Sequence, residues 1–396
     1  MALPTLLEVK KAIDSILTGA TARPDGFSSV FFVSCWDTVG RDIQNAIIHL
    51  CQGGNIPRFV TTSLICLILK KQSPKKLSDY RPISLCNCLY KILANIVATR
   101  LSDILPSIMS MEQGSFILGR LISENIALSQ KLFRDISKKV RGGNIILKLD
   151  MEKAGLGQGD PLSPALFIIV VEALSRGLKS LLDQGQCIPF KTRRGYPRVS
   201  HLLYADDTHL FLNGGLASLR VIRDFLDIYQ ASLGQSINLS KSYFVCADKM
   251  LASRVRVIEE VLGISRSSST FTYLGVPILA GRVKSSAAFF GCGSATFFWG
   301  WSQGKRKLHW MNWKRMVVPL EEGGLGFKRL HEVMQAFHLK MAWSILFEKT
   351  DSLWGNYMAA KYNLFLHPDR TNRRCSFTSP LWIRIQAQLS LMTPLV

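Results

Sequence analysis

Apolar residues return at helical spacing near the start of the chain, at Val9, Ile13 and Ile16, which predicts a helix over Leu6–Leu17 before a Pro24-Asp25-Gly26 turn. The period then changes. Ser63 to Leu69 is a β-branched and aliphatic run that stops at Lys70-Lys71, so a strand delivering two lysines is expected there. Helical spacing resumes over Leu89–Leu101 and again over Ile122–Ile136. Asn144 to Asp150 is an almost wholly apolar strand with a carboxylate at its C-terminal end. Pro164–Leu182 reads as a long apolar helix, entered through Pro161 and Pro164 and preceded by Gly155, Gly157 and Gly159. Leu202 to Leu212 holds two short apolar segments around Ala205-Asp206-Asp207, the pattern of a β-hairpin with adjacent carboxylates at its turn. A helix over Leu219–Leu233 follows, and Gly234 ends it. Strand, helix, hairpin and helix together predict a compact α+β unit.

Composition narrows the partners. The 396 residues are 47% hydrophobic, enough for one or two ordinary cores. The longest apolar run, Ala165 to Val171, falls far short of the roughly 18 to 20 residues of a spanning helix, so no membrane segment is expected. The N-terminal residues lack the apolar core of a secretory signal, and an intracellular product is expected. Lys and Arg number 49 against 28 Asp and Glu, a net charge of +21 that suits a polyanion such as nucleic acid, though a basic solvated surface alone would give the same count. Residues 281–396 carry sixteen basic and six acidic residues. The nine cysteines are scattered, mostly within apolar runs, which predicts reduced and buried thiols; Cys86 and Cys88 form only a C-x-C pair, without zinc spacing.

Adjacent carboxylates raise one another's pKa unless a cation lies between them. Asp206-Asp207 sits between apolar flanks, His201 to Tyr204 and Leu210 to Leu212, which would bury the pair's surroundings. A divalent ion would explain the arrangement, because Mg²⁺ takes carboxylate oxygens together with substrate phosphates, and a two-metal site serves both attacking and leaving oxygens. Asp150 could supply a further carboxylate. The competing reading is an exposed turn in which Asp-Asp is ordinary loop chemistry.

These residues carry a resemblance. Tyr204-Ala205-Asp206-Asp207 resembles the signature hairpin of reverse transcriptases, and Leu149 to Ala154 is similar to the strand that supplies their first metal-binding aspartate. Gly157-Gln158-Gly159-Asp160-Pro161-Leu162-Ser163-Pro164 resembles the loop and helix beneath template and incoming nucleotide. Pro24 to Phe27, Tyr80 to Leu85 and Gly119-Arg120 through Asn125 resemble the fingers of plant non-LTR (LINE-type) retroelements. Gly234 to Ser242 resembles the late palm, and Tyr273-Leu274-Gly275-Val276-Pro277 the primer-gripping hairpin. Trp301 to Trp313, with Trp310 between, and Glu321 to Phe327 are similar to the tail that follows the polymerase core.

The resemblance implies an α+β reverse-transcriptase fingers-palm around a small antiparallel sheet. Residues 1–60 would be a helical part of the fingers, 61–285 the fingers-palm core, and 286–396 a basic, mostly helical C-terminal region. It implies RNA-directed DNA synthesis by two-metal transfer, with Asp150, Asp206 and Asp207 catalytic and holding Mg²⁺ or Mn²⁺. Lys70, Lys71, Arg81, Gln158, Gly159, Tyr204 and Lys241 would contact nucleotide or template. The partners implied are an RNA template, a DNA primer and deoxynucleoside triphosphates, and the residence implied is nuclear.

Departures from the family pattern set a further expectation. Several dozen residues, including the aromatic that screens the sugar 2′ position, normally separate the Asp150 strand from the Gly-Gln-Gly loop, whereas here Ala154 runs straight into Gly155. Five extended residues span only about 17 Å, so strand end and loop must lie close together. Ala287 to Thr296 stands where a thumb would begin, so the thumb is largely missing. No endonuclease segment is expected ahead of the polymerase motifs. A weak or inactive enzyme is expected, with apolar surface left open on the Pro164–Leu182 helix.

Overall fold

The computed structural model describes residues 2–16, 24–151, 157–267 and 271–278, with residues 301–302, 305–306, 318, 322, 330–346, 352–362 and 383–385. The N-terminal part is helical: α1 (Leu6–Asp14), α2 (Ser29–Ser34), α3 (Trp36–Cys51) and α4 (Arg58–Thr61). Thr5 caps α1 through the Glu8 amide, and Val9 and Ile13 turn inward against Ile43 and Ile47 of α3. The i, i+4 spacing of Ile43 and Ile47 belongs to an amphipathic face not anticipated above.

Strands β1 (Ser63–Leu69) and β2 (Tyr80–Cys86) pair antiparallel as a two-stranded ribbon, with Ile68 opposite Arg81. Every residue of β1 is exposed. Helix α5 (Cys88–Ile108) runs past the expected Leu101 and carries Pro106 in its last turn; Arg100 ties it to α1 by a two-pronged pair with Glu8 at 2.7 and 2.8 Å. Helix α6 (Ile122–Phe133) stops short of Ile136, because the Asp135 and Ile136 amides bond three residues back, to Leu132 and Phe133.

The central sheet takes strands β3 (Asn144–Asp150), β4 (His201–Tyr204), β5 (Asp207–Asn213) and β6 (Tyr243–Cys246) in the order β4-β5-β3-β6, all antiparallel. Helices α7 (Ser163–Asp183), α8 (Leu216–Leu233) and α9 (Ala252–Leu262) cover one face. There Leu147, Leu210 and Phe244 meet Leu174, Ile222 and Ile258. Alternation sends Ile146, Phe211 and Val245 to the opposite face. That face packs on α6, on the hairpin of β7 (Phe271–Tyr273) and β8 (Val276–Ile278), and on residues from the C-terminal part. A two-residue pair, β9 (Trp301–Ser302) and β10 (Lys305–Arg306), precedes α10 (Leu330–Leu346) and α11 (Leu353–Tyr362), whose Ile345, Trp354 and Tyr357 join this core. Among the described residues no helix is long and apolar enough to cross a membrane.

Two expectations are corrected. Helix α7 is largely covered: α8 and α5 close over Ile168, Val171 and Leu174, and among its large apolar side chains only Leu166 is exposed, at 36%. The thiols are not uniformly buried, since Cys51 at the end of α3 and Cys66 on the open ribbon are exposed; the seven described cysteines are unbridged. The Ala154-Gly155 junction, residues 287–296, Trp310, Trp313 and Gly323 to Phe327 lie outside the described residues.

Candidate active site

Strand register brings the first two carboxylates together. Asp150 closes β3 directly opposite Asp207, the first residue of β5, while Asp206 occupies the two-residue turn with Ala205. Directly paired residues of antiparallel strands hold their Cβ atoms about 5 Å apart on one face. Two like charges therefore face each other, and two lysines offset them. Lys148, two residues before Asp150 on that face, reaches Asp207 at 2.9 Å, and Lys241 reaches Asp150 at 3.5 Å. His209, cross-strand from Lys148, is buried against the Tyr273 ring at 4.2 Å, and burial plus the Lys148 charge pushes its pKa down to about 3. It stays neutral beneath the pair.

The hairpin turn is held from outside the sheet. Ala205 takes φ +53°, a left-handed value unusual for a residue with a Cβ, and its amide donates to Ser115 Oγ at 2.8 Å. The Leu203 amide donates to Glu112 O at 2.9 Å and the Gly114 amide to Leu203 O at 2.8 Å, so residues 112–114 run alongside β4. Arg120 clamps this segment by donating to the Met109 carbonyl at 3.0 Å, the Gln113 carbonyl at 2.7 Å and the Ser110 carbonyl. Behind it, Glu172 accepts from the Ser110 amide and hydroxyl, and Ser175 bridges Ser110 to His201 Nε2 at 2.7 Å. Complete burial pushes the His201 pKa down to about 3. Asn125 donates to Leu203 O and to the Tyr273 hydroxyl, joining the β7–β8 hairpin to the same turn.

The Gly157-Gln158-Gly159 loop lies against the ribbon. The Ser84 amide of β2 donates to Gln158 O at 2.7 Å, Gly159 adopts φ +106°, and a Cβ there would stand 3.0 Å from Ser84 O, so both conformation and contact require glycine. Asp160 then accepts from the Leu162 amide and the Ser163 hydroxyl at the entrance to α7. Between this loop and the hairpin lies a cavity of about 180 Å³, bordered by Phe116, Gln158, Gly159, Phe167 and Asp206. That is below the roughly 300 Å³ at which ligand pockets usually begin.

The structure therefore gathers Asp150, Asp207 and Lys241 at one sheet end, Asp206 with Gln158 and Gly159 around the cavity, and Tyr204 in register with Asp207. It does not gather the ribbon cations there. Arg81 stands three residues along β2 from Ser84, about 10 Å away, and Lys70 and Lys71 lie beyond it at the end of β1. Lys71 pairs with Asp79 at 2.8 Å, and that pair, with the Lys75 and Lys76 amides, lowers the Asp79 pKa to about 2. Lys148, Ser115, Gln113 and Phe116 escaped the sequence reading, although strand alternation alone places Lys148 beside Asp150.

Whether these groups suit a divalent ion rests on their chemistry. Among the described residues no three His, Cys, Asp or Glu side chains converge as a metal centre. The Asp150–Asp207 pair nonetheless offers hard oxygen donors in a setting that already draws in two cations, and it fits Mg²⁺ in kind.

Comparison with known proteins gives consistent relatives. Residues 68–154 and 151–278 match the family described as reverse transcriptase (RNA-dependent DNA polymerase), in two segments that meet at 151–154. The chain is 26% identical over 190 residues to a 149 kDa protein of transposon TX1 from Xenopus laevis, covering 46% of this chain and 14% of that protein. It is 24% identical over 295 residues to the retrovirus-related Pol polyprotein of the type-2 retrotransposable element R2DM from Drosophila melanogaster, covering 59% of this chain and 27% of that one. An uncharacterized mitochondrial protein of Arabidopsis thaliana is 48% identical over 54 residues, covering 14% of this chain and 44% of the relative. The aligned part thus spans less than half of each of these relatives.

Proposed function

The chain belongs to the reverse transcriptase family, with homologues from non-LTR transposons, and from that premise we propose that it descends from a retroelement's RNA-directed DNA polymerase and keeps the carboxylate end of its palm with impaired synthesis. The observation that carries this reading is the cross-strand pairing of Asp150 with Asp207, with Asp206 in the turn between β4 and β5. Asp150 and Asp207 would hold the divalent ions that members of the family use, with Asp206 as the third carboxylate. When bound, such ions would stabilise charge on the attacking 3′-oxygen and on the leaving pyrophosphate. Lys241, exposed and 3.5 Å from Asp150, would release that carboxylate and meet phosphate instead. Arg81, Lys70 and Lys71, on the ribbon, would meet the triphosphate. An RNA template, a DNA primer and deoxynucleoside triphosphates, met in the nucleus, are the partners this reading implies.

Impairment is supported by the small cavity beside Asp206 and by the place where the two family segments meet. Both are what loss of the segment carrying the sugar-screening aromatic would leave. An ångström of misplacement costs on the order of a hundredfold in rate. Primer extension on an RNA template with Mg²⁺ tests the proposal. Trace synthesis, lost in the Asp206→Ala/Asp207→Ala chain, is expected. Synthesis at an ordinary polymerase rate contradicts the impairment, and synthesis indifferent to the double substitution contradicts the site. Binding of nucleic acid without synthesis is the second reading, favoured by the net charge of +21.

A further inference from the structure

The opposite end of the central sheet is as basic as the first is acidic. Six residue steps along β3 separate Asp150 from Asn144, about 20 Å. Around that far end lies a cavity of about 690 Å³, bordered by Lys138, Lys139, Arg141, Lys249 and Arg254, with no carboxylate among the described residues of its lining. Lys138 is turned to Asp135 at 3.0 Å, and Arg254 donates to the Gly214 carbonyl at 2.7 Å. Lys139, Arg141 and Lys249 are exposed and form no ion pair with a described carboxylate. The eighteen-residue helix α8 begins on the same wall, at Gly215, with no side chain capping it, and Leu216, Ala217 and Ser218 line the cavity. An uncapped helix start presents free amide donors and a positive dipole end, which reinforce the side-chain cations.

Like charges gathered around an open cavity repel one another, and a bound anion removes that cost. The cavity's volume is that of a ligand pocket, and its cations come from two separate segments, residues 138–141 and 249–254, spaced around an opening. A multiply charged, extended anion meets that spacing better than a single phosphate does.

We propose that this basic cavity is a second nucleic-acid site, which holds the phosphodiester backbone of a single strand about 20 Å from the carboxylates. The proposal goes beyond the polymerase reading and does not require synthesis. Lys139, Arg141 and Lys249 contact phosphates, while the start of α8 and Arg254 shape the wall.

The test is the salt dependence of binding of a fluorescein-labelled single-stranded RNA to the whole chain. In Lys139→Gln/Arg141→Gln/Lys249→Gln, affinity should fall at least about tenfold, and the slope of log affinity against log salt should flatten by about 2, the value for three lost contacts. A control that removes equal charge elsewhere, Lys10→Gln/Lys11→Gln/Lys76→Gln, should change the slope by clearly less. Equal effects in the two variants, or no effect in the first, overturn the proposal. Lysine-reactive footprinting of the unaltered chain gives an independent reading: RNA should shield Lys139 and Lys249, and no shielding overturns it. Shielding by tripolyphosphate but not by RNA would make the occupant a free polyphosphate, which also overturns it. Both readings report binding and ask for no synthesis, so failure of the polymerase proposal and failure of this one are separable.

Discussion

The central sheet and the β1–β2 ribbon are both antiparallel, yet one is covered on both faces and the other has an entire strand exposed. Ile146 and Phe211 on one face of the sheet, and Leu147 and Leu210 on the other, are at most 1% accessible, whereas Ile65 of the ribbon is 67% accessible. A two-stranded hairpin alone is marginal in water, and an exposed apolar edge invites pairing with another chain. The difference teaches where this molecule is self-sufficient. Carboxylates fixed on the covered sheet keep their register without ligand, while Arg81, Lys70 and Lys71 depend on an element held through the Ser84 amide and the Gly-Gln-Gly loop.

Truncating one large side chain in each region should give the largest contrast. Phe211→Ala should cost about 3–5 kcal/mol, as buried aromatic truncations do. Ile65→Ala should stay within about 0.5 kcal/mol. Denaturant unfolding measures both, and comparable losses would end the distinction.

A smaller effect is expected in the buried network behind the hairpin. Glu172→Ala leaves the Ser110 amide without its acceptor and should cost about 1–3 kcal/mol. The same region sets an acid limit. His201 and His209 have folded pKa values near 3 against an ordinary 6.5, so the unfolded chain takes up protons that the fold refuses between those values. Stability should therefore fall as pH drops from about 6.5 towards 3, and thermal melts across that range will show it; a flat profile would contradict the buried neutral rings.

Gly159→Ala tests the link between the two regions. Its φ of +106° and the 3.0 Å approach to Ser84 O predict a loss of about 1–2 kcal/mol, with faster hydrogen exchange at the Ser84 amide while the β3–β5 amides stay protected. The smallest effect expected is a gain. Lys131 of α6 is buried with its pKa lowered to about 7, by desolvation first and then by Lys361 of α11 and Arg134. Lys131→Met should raise stability at neutral pH by about 1 kcal/mol. In the parent chain stability should climb as pH rises from about 7 towards 10.5, because only the unfolded state then holds that proton; the gain should shrink over the same window.

Much of the central sheet and its helices was legible because their signals are local. The strand ending at Asp150, the hairpin around Ala205-Asp206, and the helices beginning near Ser163 and ending at Gly234 follow from periodicity, proline and glycine. What sequence does not announce is backbone recognition across distance. Residues 112–114 pair with β4 through amides and carbonyls, and Arg120 grips three carbonyls, with no side-chain pattern to reveal either. The core that Phe211 shares with Trp354 and Tyr357 joins segments far apart in the chain. The basic cavity was hidden for the same reason, its cations being divided between two short segments.

Asp150 and Asp207 are proposed to form a divalent-metal pair on a preformed sheet. Mn²⁺ titration of the whole chain, followed by electron paramagnetic resonance, tests it without asking for synthesis. Saturable binding is expected, disappearing in Asp150→Asn/Asp207→Asn while the fold persists by circular dichroism. Equal binding in the folded variant, or none in the parent chain, would contradict it.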